Sequence, residues 1–169
     1  MHVGVAAEAA WGLLPGIRPG LALYLKLVPS QFFPITLQGD GLSTAKAERD
    51  AGSGANFRLF RAGLAVCPAL SSQPGRTLGA CFGQKLGFMQ VDGYGFDHDK
   101  HERRLTYALT LGGEGRLRLF APVSLRAYLG GEVPVVRDRF TSGGRNASNL
   151  FETSPVALAA EIGLEAALR

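Results

Sequence analysis

Between Arg103 and Phe120 the chain reads RRLTYALTLGGEGRLRLF, and its two parities differ in chemistry. Leu105, Tyr107, Leu109, Leu111, Leu117 and Leu119 occupy one set of positions, while Thr106, Ala108, Thr110, Glu114, Arg116 and Arg118 occupy the other. A period of two marks an extended strand, because successive side chains point to opposite faces. The segment is also much longer than the roughly 5–6 residues usual for a strand in a soluble sheet.

The same alternation recurs along the whole chain. It begins near His2–Gly12, with Val3, Val5, Ala7, Ala9 and Trp11 opposed to His2, Gly4, Ala6, Glu8 and Ala10. GLALYLKLV sets Leu21, Leu23, Leu25 and Leu27 against Ala22, Tyr24 and Lys26, and PITLQGDGL sets Ile35 and Leu37 against Thr36, Gln38 and Asp40. NFRLFRAGLAVC is less regular, since Arg58 and Arg61 take opposite parities; a bulge there, or emergence from the apolar zone near Arg58, reconciles the two. TLGACFGQKLGFMQV, the opening segment, SLRAYLGGEVPVV and PVALAAEIGLEAALR complete a set of eight predicted strands.

Connection lengths add a second signal. Those after predicted strands three, five and seven are long and polar: STAKAERDAGSGA, DGYGFDHDKHE and TSGGRNASNLFETS. Those after strands two, four and six are shorter and contain proline: PSQFF, PALSSQPGR and APV. Alternating long and short ends place the long loops at one rim of an up-and-down barrel, the asymmetry of bacterial outer-membrane barrels. The short LLPGIRP turn then also lies at the extracellular rim, and both termini point to the periplasm.

Alternation alone does not say which face meets water, because a soluble barrel buries its apolar set. Here that set is dominated by Leu, Val and Ile on every strand, more volume than eight strands can enclose. The other set interleaves Gly and Ala with single charges, which suits a narrow lumen. Its cations are Lys26, Arg61, Lys85, Arg116, Arg118, Arg126 and Arg169, opposed by Glu8, Asp40, Glu114, Glu132, Glu161 and Glu165. Such groups persist inside a narrow barrel only as paired, hydrogen-bonded networks. The expectation is a plugged interior, since an aqueous channel needs roughly 16 strands.

Composition narrows the picture further. The 169 residues fit one domain, 1–169, with 46% hydrophobic and 19% charged residues, and 23 Gly and 9 Pro interrupt helical patterns. The formal charge of +4 comes from scattered Lys and Arg, not the clustered stripe of a nucleic-acid footprint, so no nucleic-acid partner is expected. There is no apolar run of about 18 residues for a transmembrane helix. Nor is there a signal peptide: Met1 leads directly into strand-like sequence, so for a membrane barrel the numbering starts after processing or the chain begins inside the gene. Cys67 and Cys81 flank a turn near Gln73 and Pro74 at equal distances, on the polar face. They are either a cross-strand disulfide, which implies an oxidising compartment, or two small buried thiols.

The segments HVGVAAEAAWGLLPGIRPGLAL, LAVCPALSSQPGRTLGACF and VALAAEIGLEAALR resemble small outer-membrane β-barrels of the OmpA/OmpX architectural type, and more narrowly uncharacterised barrels of high-GC Gram-negative bacteria. The resemblance spans nearly the whole chain and implies fold and location, not activity. It departs at the end, where AALR stands in place of the aromatic residue usual in this class.

Local chemistry is sparse. DGYGFDHDKHE gathers Asp92, Asp97, His98, Asp99, His101 and Glu102; Asp97, His98, Asp99 and His101 are weak metal-ligand candidates in a spacing that matches no recognised site. A lipid-modifying enzyme would need His98 or His101 beside a loop serine such as Ser142 or Ser148. Asn146–Ser148 matches a glycosylation pattern that also reads as plain loop, and GGEGR lacks the strand-loop-helix context of a phosphate loop. The expectation is thus an all-β, eight-stranded antiparallel transmembrane barrel in the bacterial outer membrane. It has no cofactor, contacts outer-membrane lipid, and has a structural or recognition role through its long loops. The alternatives are a barrel-embedded lipid-modifying enzyme and a soluble barrel carrying a small apolar ligand.

Overall fold

The computed structural model describes residues 1–29, 33–50, 53–94, 101–141 and 149–168. Its regular elements are strands: β1 (His2–Trp11), β2 (Ile17–Leu27), β3 (Ile35–Asp50), β4 (Ser53–Val66), β5 (Ala69–Gln73), β6 (Arg76–Tyr94), β7 (His101–Phe120), β8 (Val123–Pro134), β9 (Arg139–Thr141), β10 (Asn149–Glu152) and β11 (Ala157–Ala167). Among the described residues no helix is long and apolar enough to cross a membrane.

Eight of these strands, β1, β2, β3, β4, β6, β7, β8 and β11, form one antiparallel sheet that closes on itself. β1 pairs with β11 from His2 opposite Ala167 to Trp11 opposite Leu158, and β4 closes on β6 from Val66 opposite Phe82 to Gly54 opposite Tyr94. Closure removes the unpaired edges that make open sheets prone to aggregation. The short β5 pairs with the start of β6, and β9 pairs with β10 as a separate hairpin. The end carrying His2 and Ala167 is called lower below, and the end carrying Trp11 and Tyr94 upper.

The Leu-rich face is the outside. Leu23 and Leu111 are each 66% exposed and Leu129 is 68% exposed, and the same face carries Val5, Phe82, Leu105 and Ile162. Alternate positions, including Glu8, Lys26, Arg61, Lys85, Arg126 and Glu161, are buried in the lumen. The lumen is narrow enough that its tyrosines lie against glycine positions of neighbouring backbone. A Cβ added at Gly4 would fall 2.4 Å from the Tyr24 ring, and one at Gly130 would fall 2.2 Å from the Tyr128 hydroxyl. Glycine among the inward positions therefore makes room for an aromatic neighbour.

The upper part differs from the sequence expectation. Within the polar stretch 43–55, residues 43–50 and 53–55 are strand rather than loop: β3 continues to Asp50, β4 starts at Ser53, and the two pair as one long hairpin. The bulge lies on β3, not near Arg58. Three steps from Leu42 to Ala45 oppose two from Leu59 to Phe57. This extra residue reverses the parity of β3, so Thr36, Asp40 and Leu42 point inward before it and Ala45 after it. β4 keeps its parity throughout, and Arg58 emerges on the outer face, in one row with Gln90 of β6 and Arg103 of β7. That row is the upper edge of the apolar outer belt. Strands of 19 and 20 residues in β6 and β7 exceed the roughly 9–11 needed to cross a bilayer, so the hairpin stands above the belt.

Candidate functional site

The lumen brings distant strands together through charge. Arg61 on β4 donates from Nε to Asp40 Oδ2 at 2.7 Å, from Nη2 to Glu8 Oε1 at 3.0 Å, and from Nη1 to Glu132. Lys85 Nζ sits 3.0 Å from Glu132 Oε1, 3.2 Å from Asp40 Oδ1 and 3.7 Å from Glu8 Oε1. Toward the lower end Arg126 donates to Glu114 Oε2 and to Glu161 Oε2, both at 2.8 Å. Lys26 also pairs with Glu114, Gln38 Nε2 donates to Glu161 Oε1 at 2.7 Å, and Arg116 Nε approaches Glu165 Oε1 to 2.6 Å. The Arg126 guanidinium stacks 4.3 Å from the centre of the Tyr24 ring, which adds a cation–π contact. Lys85 stands 4.0 Å from Glu161 and thereby joins the two groups. Four cations and five carboxylates thus share one buried set among the described residues, with the half-buried Arg116 and its partner Glu165 beside it.

Arg118 stands apart from this set. It is exposed near the lower end, where its backbone N–H donates to Gly75 O at 2.7 Å, because β7 by then has passed below the lumen. Arg169 lies outside the described residues. His2 is at the lower mouth, with Nδ1 3.7 Å from Glu165 Oε1. Cys67 and Cys81 are joined by a disulfide, buried where β4 gives way to β5. Their Sγ atoms and a Glu114 carboxylate oxygen lie within 4.8 Å of one another, but sulfurs bonded to each other are not thiolate ligands, so the group is not a metal site in this state.

Above the charges the lumen becomes apolar, a feature the sequence reading did not anticipate. Leu13, Leu14, Leu42, Ala45, Phe57, Leu59, Met89, Val91 and Phe140 form one buried cluster, with Phe151 packed against it. Phe57 meets the Phe140 ring at 5.2 Å and the Phe151 ring at 5.6 Å, both edge to face. The β9–β10 hairpin therefore folds over the upper mouth. Arg104 holds it from β7, with Nη1 3.2 Å from Asp138 Oδ1 and its guanidinium 5.0 Å from the Phe140 ring. A signal for this layer was present: Phe57 and Leu59 share the parity of Arg61, and Met89 and Val91 share that of Lys85.

Of the candidates in the loop after β6, Asp97, His98 and Asp99 lie outside the described residues, as do Ser142, Asn146 and Ser148. Asp92 and His101 face each other across the base of that loop, Nδ1 of the imidazole against Oδ1 of the carboxylate. Among the described residues this is one carboxylate and one imidazole, with no serine in hydrogen-bond contact with the ring. On the same hairpin Tyr94 is held above its ordinary pKa, first by desolvation and then by the Glu48 carboxylate of β3, which accepts its hydrogen bond. This contact ties β6 to β3 above the belt.

No protein-family model matches the chain, and no curated protein matches it in sequence. Solved structures do match it. A major outer membrane protein from Thermus thermophilus aligns with a TM-score of 0.62 at 17% identity, over 97% of this chain and 98% of that one. Neisserial surface protein A aligns with a TM-score of 0.60 at 11% identity, over 99% of this chain and 95% of that one. Ail, the attachment invasion locus protein of Yersinia pestis, aligns with a TM-score of 0.55 at 11% identity, over 98% of this chain and 94% of that one. At these identities the likeness is one of fold: the chain has the closed eight-stranded architecture of small outer-membrane β-barrels.

Proposed function

We propose that this chain spans the bacterial outer membrane as a barrel closed to solutes and presents its upper hairpins as a recognition surface outside the cell. The observation that carries the reading is the inversion of polarity. Leu, Val, Ile and Phe cover the outside over most of the barrel height, while paired acidic and basic side chains and then an apolar layer fill the inside. A contiguous apolar exterior of this extent is incompatible with a water-soluble monomer. It also argues against the soluble carrier, since an apolar ligand would need the cavity that the ion pairs and the Phe57 cluster occupy.

In this orientation both termini face the periplasm, and the hairpins β3–β4, β6–β7 and β9–β10 face outward. A recognition role draws support from the Ail neighbour, named for attachment and invasion and solved in complex with the heparin analogue sucrose octasulfate. The test is fractionation of cells expressing the full gene, electrophoresis of the membrane fraction with and without boiling, and protease treatment of intact cells. Detergent-dependent extraction, a heat-dependent mobility shift and cleavage within the 95–100 segment are expected. A soluble, heat-indifferent product would overturn the membrane reading. A shift with cleavage only in opened cells would overturn the orientation.

A further inference from the structure

Among the described residues the outer belt contains one polar interruption. On β6 the outward positions below the Gln90 row run Phe88, Leu86, Gln84, Phe82, Ala80 and Leu78, so a carboxamide sits between apolar neighbours. Its cross-strand partners are Leu64 on β4 and Leu109 on β7. The strand rises about 3.3 Å per residue, so Gln84 lies roughly 20 Å along β6 from Gln90 and roughly 26 Å from Arg76, which mark the polar edges. Tyr107 stands beside it on the same outer face and donates its hydroxyl to Gln84 Oε1 at 2.8 Å. Among the described residues these are the one carboxamide and the one hydroxyl on the belt, and Gln84 Nε2 has no acceptor.

We propose that this pair is the centre of a self-association surface, occupied by a second copy of the chain across a twofold axis. The inference rests on the membrane-spanning reading above. At mid-belt there is no water to accept the Nε2 hydrogens, and headgroups lie well above and below. A carboxamide is its own complement, with N–H donors and a carbonyl acceptor side by side, so in two facing Gln84 side chains each donates one Nε2–H to the other's Oε1. A twofold axis presents the same patch on each copy, as this pairing requires. Tyr107 orients the amide while leaving one lone pair of Oε1 for the partner. Leu64, Phe82, Leu86 and Leu109 supply the surrounding apolar contact.

The test places the purified barrel in phosphatidylcholine vesicles at decreasing protein-to-lipid ratio, with donor and acceptor dyes carried on tags fused at the N terminus of separate copies. Energy transfer is compared for the native chain, Gln84→Leu and Tyr107→Phe, with the heat-dependent mobility shift confirming that each is folded. Native transfer that persists on dilution, association on the order of tenfold weaker in Gln84→Leu, and a smaller loss in Tyr107→Phe are expected. A native barrel that is folded but shows no transfer at any density overturns the proposal, even if it is found crosslinked to a different protein in cells. Unchanged association in both variants overturns it as well. Failure of the native chain to enter vesicles would instead sink the membrane reading itself.

Discussion

At the scale of single residues, stability in this barrel depends on buried charges that share a small number of partners. Arg61 is the sharpest case, because one guanidinium serves Glu8, Asp40 and Glu132 with three separate donors. Arg61→Leu leaves those carboxylates to Lys85 alone and should cost about 3–5 kcal/mol, read from the urea midpoint in lipid vesicles. Arg61→Lys should recover only part of this loss, since an ammonium cannot reproduce the planar fork. Steric fit is the second residue-scale constraint. Gly130→Ala puts a methyl group against Tyr128 and the Leu111 carbonyl and should destabilise by about 1–3 kcal/mol. Adding Tyr128→Ala should restore part of that stability and not all of it, because the carbonyl remains 2.8 Å from the new Cβ.

At the scale of elements, the two ends of the barrel are held by different devices. Below, the disulfide from Cys67 to Cys81 closes a sequence separation of 14 around the β5–β6 hairpin. Cys67→Ser should lower stability by about 3 kcal/mol on loop-closure grounds. Because the barrel strands pair independently of this bridge, the variant should still show the folded mobility before boiling and gain protease cleavage within 68–78. Above, β9–β10 is held by Phe140 and Phe151 on Phe57 and by Arg104 on Asp138. Phe140→Ala should therefore expose that hairpin to protease while leaving the barrel intact, a separation that limited digestion followed by electrophoresis would show.

At the scale of the whole molecule, the proposed closed lumen rests on two layers in series, an ionic one and an apolar one. Reconstituted into a planar bilayer, the native chain should show no stepwise conductance, and regular unitary steps would disprove the closed lumen. Arg61→Leu should stay silent too, because the Phe57 and Met89 layer lies above the lost ion pairs.

Much of this architecture is legible in the chain before any folding is considered. Leu105, Leu109 and Leu111 against Thr106, Ala108 and Thr110 define two faces because consecutive residues of a strand point oppositely, and the parity holds whatever the strand pairs with. The excess of Leu on one face decides that this face is outside, since eight strands enclose too little volume for it. Partnerships across the lumen are different in kind. Glu132 lies 71 residues from Arg61, and only the register around the closed sheet brings them to one level. The bulge after Leu42 has the same origin: STAKAERD looks like loop by composition and becomes strand because β4 offers it a paired edge. Alternation, a property of the backbone, was determined by sequence alone; who meets whom inside, and where the charged lumen gives way to the apolar mouth, was decided by tertiary closure, because strand stagger sets the height of every inward side chain.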